Sequence, residues 1–177
     1  MLKTFIPNLL SLANLSLGIL SIMETFNQNY LCAAVLIIIS ACIDIYNIRS
    51  ANFLSLNSNL GKELDSLADL VSFGVAPALL IFTKYYFLNF QYVEILGTCL
   101  LLTYIIKGCY KLAKYNLSES NEEFSGISIT AAGSAIALFS LATPSNNLFM
   151  FLSIVLVVLL SYLMSSKLKI KRISSDS

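Results

Sequence analysis

A chain of 177 residues that is 57% hydrophobic and only 12% charged is not an ordinary soluble domain, which carries about 25% charge. Its net charge of +1 gives no indication of a nucleic-acid partner, and the absence of histidine, with four cysteines in no CxxC spacing, argues against zinc chemistry. Apolar runs of about 20 residues recur along the whole length, the pattern of a single all-α polytopic membrane domain, residues 1–177, with six transmembrane helices.

The first helix is expected over 7–24, with Pro7 in its opening turn, where proline is tolerated. Its apolar run is too long for a signal peptide and lacks a clear small-residue cleavage site. Asn8 and Asn14 read either as polar glue between helices or as a cap and a satisfied packing residue. A second helix over 30–46 delivers Asp44 at its end, and the Asn- and Ser-rich segment 47–60 belongs at a membrane surface. The third helix, 61–82, carries Asp65 and Asp69 in its first turns and Pro77 as a possible kink. Tyr85, Tyr86 and Tyr92 in the following link are expected interfacial anchors.

The fourth helix spans 93–112 and is flanked by Lys107, Lys111 and Lys114, ahead of a polar loop, 115–124, holding Glu119, Glu122 and Glu123. A fifth helix over 127–141 is lined with small residues, Ala131 to Ala135 around Gly133, which permit close helix approach. A tight turn at 143–147 leads to the sixth helix, 148–165, and a basic tail, KLKIKR. Cys32, Cys42, Cys99 and Cys109 read as small buried hydrophobes. An even number of crossings puts both termini on one side, with ten of the eleven Lys and Arg residues and only Lys84 opposite. The positive-inside bias makes that shared side cytoplasmic.

Acids are costly inside apolar helices and mark a functional site by default. Asp44 and Asn47 share a helix face at i and i+3; Asp65 and Asp69 stand one turn apart, with Gly61 one turn before them. Two helix ends that present oxygen ligands suit a hard cation such as Mg²⁺, which prefers carboxylates, water and substrate phosphates. The alternative is that Asp65 and Asp69 are interfacial polar residues capping a helix. All four side chains, with Lys111, fall near the cytoplasmic face, where carboxylates and cations can act on a lipid-linked diphosphate.

The same residues resemble the CDP-alcohol phosphatidyltransferase family. Its motif runs Asp-x-x-Asp-Gly-x-x-Ala-Arg, eight residues, Gly, three residues, Asp, three residues, Asp. Asp44, Ala51, Gly61, Asp65 and Asp69 fall on it with the eight-residue gap kept. The continuation from Gly61 through KELDSLADLVSFGVAPALL is similar to the phosphatidylserine synthase branch, as is IPNLLSLANLSLG near the N-terminus. Three positions depart: Asn47 stands for the second Asp, Ile48 for the Gly and Asn52 for the Arg. Two later segments also match, with Lys111 and Lys114 in place of arginines, and with Ser128 and Thr130 in place of two prolines.

The resemblance implies transfer of a phosphatidyl group from CDP-diacylglycerol to L-serine, giving phosphatidylserine and CMP, with a divalent metal, Mg²⁺ or Mn²⁺, as cofactor and a homodimeric assembly in the cell membrane. It implies Asp44 and Asp65 as metal ligands, Asn47 in a ligand position as a neutral amide, and Asp69 as the catalytic base. Ala51, Gly61, Lys111 and Lys114 fall at substrate-binding positions. The departures at Asn47, Ile48 and Asn52 imply the alternative of a weakened or inactive member serving as a membrane binding or partner subunit.

Overall fold

The computed structural model describes residues 2–54, 59–86, 91–117 and 126–166. Among them are seven α-helices: α1 (Leu2–Phe26), α2 (Tyr30–Leu54), α3 (Asn59–Asp69), α4 (Ala76–Ile81), α5 (Gln91–Leu117), α6 (Ile129–Ala142) and α7 (Asn147–Ser165). Two π-helical turns, Leu70–Val75 and Phe82–Tyr86, join α3 and α4 into one continuous segment and extend it. The chain is an all-α polytopic membrane protein. Among the described residues, five segments are long and apolar enough to cross a bilayer: Pro7–Phe26, Tyr30–Ile48, Leu60–Tyr85, Glu94–Leu117 and Asn147–Ser165. The apolar α6 is shorter, about 21 Å at 1.5 Å per residue.

Several boundaries differ from the sequence expectation, each for a local reason. Helix α1 starts at Leu2 rather than at Pro7, which lies inside it as the sixth residue and forfeits one hydrogen bond to the preceding turn. Helix α2 does not stop at Tyr46 but runs to Leu54, through residues expected to be irregular. No glycine or proline interrupts it, and Ile48 occupies the position where the motif has its glycine. Helix α5 likewise continues to Leu117, placing Lys114 in its last turn.

Helix α1 packs along α2 and α3, α2 against α6, and α5 against α7. The π turn Leu70–Val75 lies at the centre of this arrangement. Pro77 has no N–H to offer the Phe73 carbonyl four residues earlier, and the buried Tyr104 hydroxyl donates to that carbonyl at 2.9 Å. Two glycines let neighbouring backbones reach the turn. A Cβ at Gly18 would lie 2.8 Å from Ser72 Cα, and one at Gly133 would lie 2.7 Å from the Phe73 oxygen. The small-residue face expected on α6 is thus used where Gly133 meets Phe73. Ile37, Phe73, Leu80, Tyr104 and Ile136 fill the core, while Leu31, Ile106, Phe151 and Val158 cover the outside as a lipid-facing surface.

Two further expectations are corrected. Cys42, Cys99 and Cys109 are exposed on the apolar exterior, and only Cys32 is half-buried; a thiol is apolar enough to face hydrocarbon. Tyr85 is not an interfacial anchor but a core residue, 1% exposed, because its hydroxyl finds a partner in Thr143. The side chains of Arg49, Ala51, Asn52, Tyr86 and Tyr92, the loop acids Glu119, Glu122 and Glu123, and the basic tail lie outside the described residues.

Candidate functional site

Helix α2 delivers Asp44 and Asn47 on its inward face, and both are buried. Helix α3 delivers Asp65 and Asp69 one turn apart, immediately before the π turn. Their packing brings Asp44, Asp65 and Asp69 together, with carboxylate oxygens of all three within 4.8 Å of one another. Like charges that close repel by roughly 3 kcal/mol per ionised pair at an effective dielectric of 20. A cluster of this kind is held together by protons, by hydrogen-bond donors or by a cation.

Each acid has a neutral donor from another helix. The Ser11 hydroxyl of α1 donates to Asp65 Oδ1 at 2.9 Å. The Asn47 amide nitrogen donates to the same oxygen at 2.7 Å and to Ser11 Oγ at 2.9 Å. Both acceptors require a donor, since Ser11 has given its proton to Asp65, and so the orientation of the amide follows from the network. Asn14 Nδ2 donates to Asp69 Oδ1 at 2.9 Å. Asn14 is itself held by α2, through the Ser40 hydroxyl on its side-chain oxygen, and by Ser72, whose hydroxyl donates to its backbone carbonyl at 2.9 Å. Thr130 of α6 donates to Asp44 Oδ2 at 3.0 Å.

Two acceptors in the network are left over. Asp44 Oδ1 and Asn47 Oδ1 are buried and accept no hydrogen bond among the described residues. Buried acceptors without partners are uncommon and call for an explanation. Two free oxygens one helical turn apart, beside two more carboxylates, are the donor set that a hard divalent cation takes. The residues present therefore fit a metal ion.

The other sequence-derived positions are less closely tied to the acids. Gly61 lies in the first turns of α3 and is half-buried. Lys111 is also half-buried, with its ammonium on the Ile127 carbonyl just ahead of α6, and Lys114 is exposed. Ala51 lies in α2, but its side chain is outside the described residues. Asn14 proves to be both polar glue and a satisfied packing residue. The contributions of Ser11 and Thr130 were missed from sequence. Ser11 stands at i−3 from Asn14 inside an apolar run, a pairing that was legible; a lone threonine at a helix start carries no comparable signal.

The family model for CDP-alcohol phosphatidyltransferase matches residues 4–163. The chain belongs to the CDP-alcohol phosphatidyltransferase family. Among its relatives is a CDP-diacylglycerol–serine O-phosphatidyltransferase of Bacillus subtilis, 34% identical over 93% of this chain and 89% of the relative. An enzyme of the same name from Helicobacter pylori is 31% identical over 92% of this chain and 70% of its own length. An archaetidylserine synthase of Methanothermobacter thermautotrophicus is 32% identical, covering 77% of this chain and 58% of that protein.

Proposed function

We propose that this protein transfers a phosphatidyl group from CDP-diacylglycerol to L-serine, forming phosphatidylserine and releasing CMP. The observation that carries this reading is the three-acid cluster, with Asp44 and Asp69 buried and two oxygens unpartnered among the described residues, in a chain similar over nearly its whole length to serine phosphatidyltransferases. Asp44, Asp65 and the Asn47 oxygen would hold Mg²⁺ or Mn²⁺, whose chemistry is to neutralise the diphosphate and polarise its phosphorus. Asp69 takes the proton from the serine hydroxyl as that oxygen attacks the phosphorus. Asn14 holds one of its oxygens, which fixes the carboxylate and leaves the other oxygen for the proton. Gly61 and Ala51 would contribute to substrate binding, and Lys111 and Lys114 offer charge to the phosphates and the serine carboxylate.

The test is purified protein in detergent with Mn²⁺ or Mg²⁺, CDP-diacylglycerol and labelled serine. Labelled phosphatidylserine and stoichiometric CMP are expected, both dependent on the metal. Asn47 in place of a charged ligand supports a second reading, a binding or partner subunit. Metal-dependent binding of CDP-diacylglycerol without turnover would establish it. The same reading puts both termini and the acid cluster on the cytoplasmic side and the turns near Asn27, Lys84 and Pro144 outside, following the lysine and arginine distribution. Single-cysteine labelling in intact cells should reach Asn27 and Lys84 positions with an impermeant thiol reagent. Protection of both, with a labelled tail, would overturn the arrangement. A homodimer is part of the proposal and is checked by mass measurement of the detergent complex.

A further inference from the structure

The hydroxyl of Thr130 stands against the acid cluster and has no part in the scheme above. Five other threonines, Thr25, Thr83, Thr98, Thr103 and Thr143, donate to the carbonyl four residues back along the chain, each in a helical turn. Thr130 behaves differently. It is the second residue of α6, after the N-cap Ser128, so no helical carbonyl lies four residues behind it. Its proton goes instead to Asp44 Oδ2, on a residue only 1% exposed. A β-branched side chain has few χ1 choices, so the hydroxyl direction is set by the start of the helix.

We infer that Thr130 is a positioning residue for Asp44: it holds one carboxylate oxygen so that the other, Oδ1, is presented to a cation. The unpartnered state of Oδ1 is the second half of this observation, because the carboxylate is fixed through one oxygen and left open at the other. Fixing a ligand from behind lowers the ordering cost of cation binding, and outer-shell hydrogen bonds of this kind are worth about 10–100-fold in metal affinity. The position is also one of the departures from the family pattern, which has a proline there and so no hydroxyl. This chain has one charged ligand fewer at Asn47 and one more donor at Thr130. The inference rests on the reading of the cluster as a cation site.

The experiment is Mn²⁺ binding to the full-length protein in detergent, read by loss of the free-Mn²⁺ electron paramagnetic resonance signal, without substrate. Wild type should bind Mn²⁺, and D44N should remove that binding. T130V, nearly isosteric but without the donor, should weaken binding about tenfold or more, while T130S should stay within about twofold of wild type. T130P provides a second test should T130V fail to fold, since proline is accommodated in a first helical turn, and it should match the expected T130V loss. Wild-type affinity in T130V or T130P overturns the inference, as does a T130S variant as weak as T130V. Absence of Asp44-dependent Mn²⁺ binding in wild type overturns the cation-site reading itself and this inference with it.

Discussion

Two polar clusters lie at opposite ends of the span Leu60–Tyr85, and they are built on opposite rules. At the far end, Lys84 donates to the backbone carbonyls of Ser140 and Thr143, the latter at 2.8 Å, and Ser145 donates to the Lys84 carbonyl at 2.6 Å. Tyr85 pairs with Thr143 through their hydroxyls. A cation on the last carbonyls of α6 also suits the helix dipole. At the near end, the first turn of α6 meets Asp44, and there two buried oxygens have no partner among the described residues. The same helix thus takes part in a satisfied cluster at its C-terminus and an unsatisfied one at its N-terminus. The two ends differ in kind: paired polar groups hold helices together at one, and at the other two acceptors are left open for the cation proposed above.

This contrast is broken if changes at the acid cluster act on stability, or if changes at Lys84 act on turnover. The largest effect is expected at Asp69. Asp69→Asn should lower serine transfer by about 10²–10⁴-fold, the usual worth of a general base, while metal-dependent CDP-diacylglycerol binding stays near wild type. Asp65→Asn should instead raise the Mn²⁺ concentration needed for half-maximal activity and weaken lipid binding together. Equal, small effects from both changes, in a turnover assay paired with lipid-binding measurements, would mean that the acids are structural.

A smaller effect sharpens the comparison from the other direction. Asn47→Asp, Ile48→Gly and Asn52→Arg in combination restore the motif and should raise serine transfer by about tenfold, equivalent to roughly 1.4 kcal/mol of transition-state binding. Ile48→Gly alone should do little. Position 48 is helical, so that change costs up to about 1 kcal/mol of stability, and protein yield is measured alongside the rate. A robust wild-type rate that the triple change fails to improve would show that the chain has compensated elsewhere, and Thr130 is the first place to look. The smallest effect on rate is expected at Lys84. Lys84→Met removes the donor from two carbonyls and should cost about 1–3 kcal/mol of stability in a detergent unfolding assay while leaving turnover per folded molecule unchanged.

Sequence alone determined that this is a helical membrane protein and singled out Asp44, Asp65 and Asp69, which the fold brings together. Hydrophobic runs, the expense of buried charge and one-turn spacings are local properties that a chain carries in one dimension. The all-helical class was legible for the same reason, while the ends of α2 and α5 were not, because polar composition alone does not stop a helix that lacks glycine or proline. Tertiary structure decided which neutral groups attend the acids. Ser11 and Asp65 are 54 residues apart, Asn14 and Asp69 are 55 apart, and Asp44 and Thr130 are 86 apart. A serine or threonine hydroxyl can satisfy itself on its own helix, as most of the threonines here do, so its residue type says nothing about a distant partner. Only the packing of α1, α2, α3 and α6 around the π turn at Leu70–Val75 turned those hydroxyls toward carboxylates and left two oxygens open.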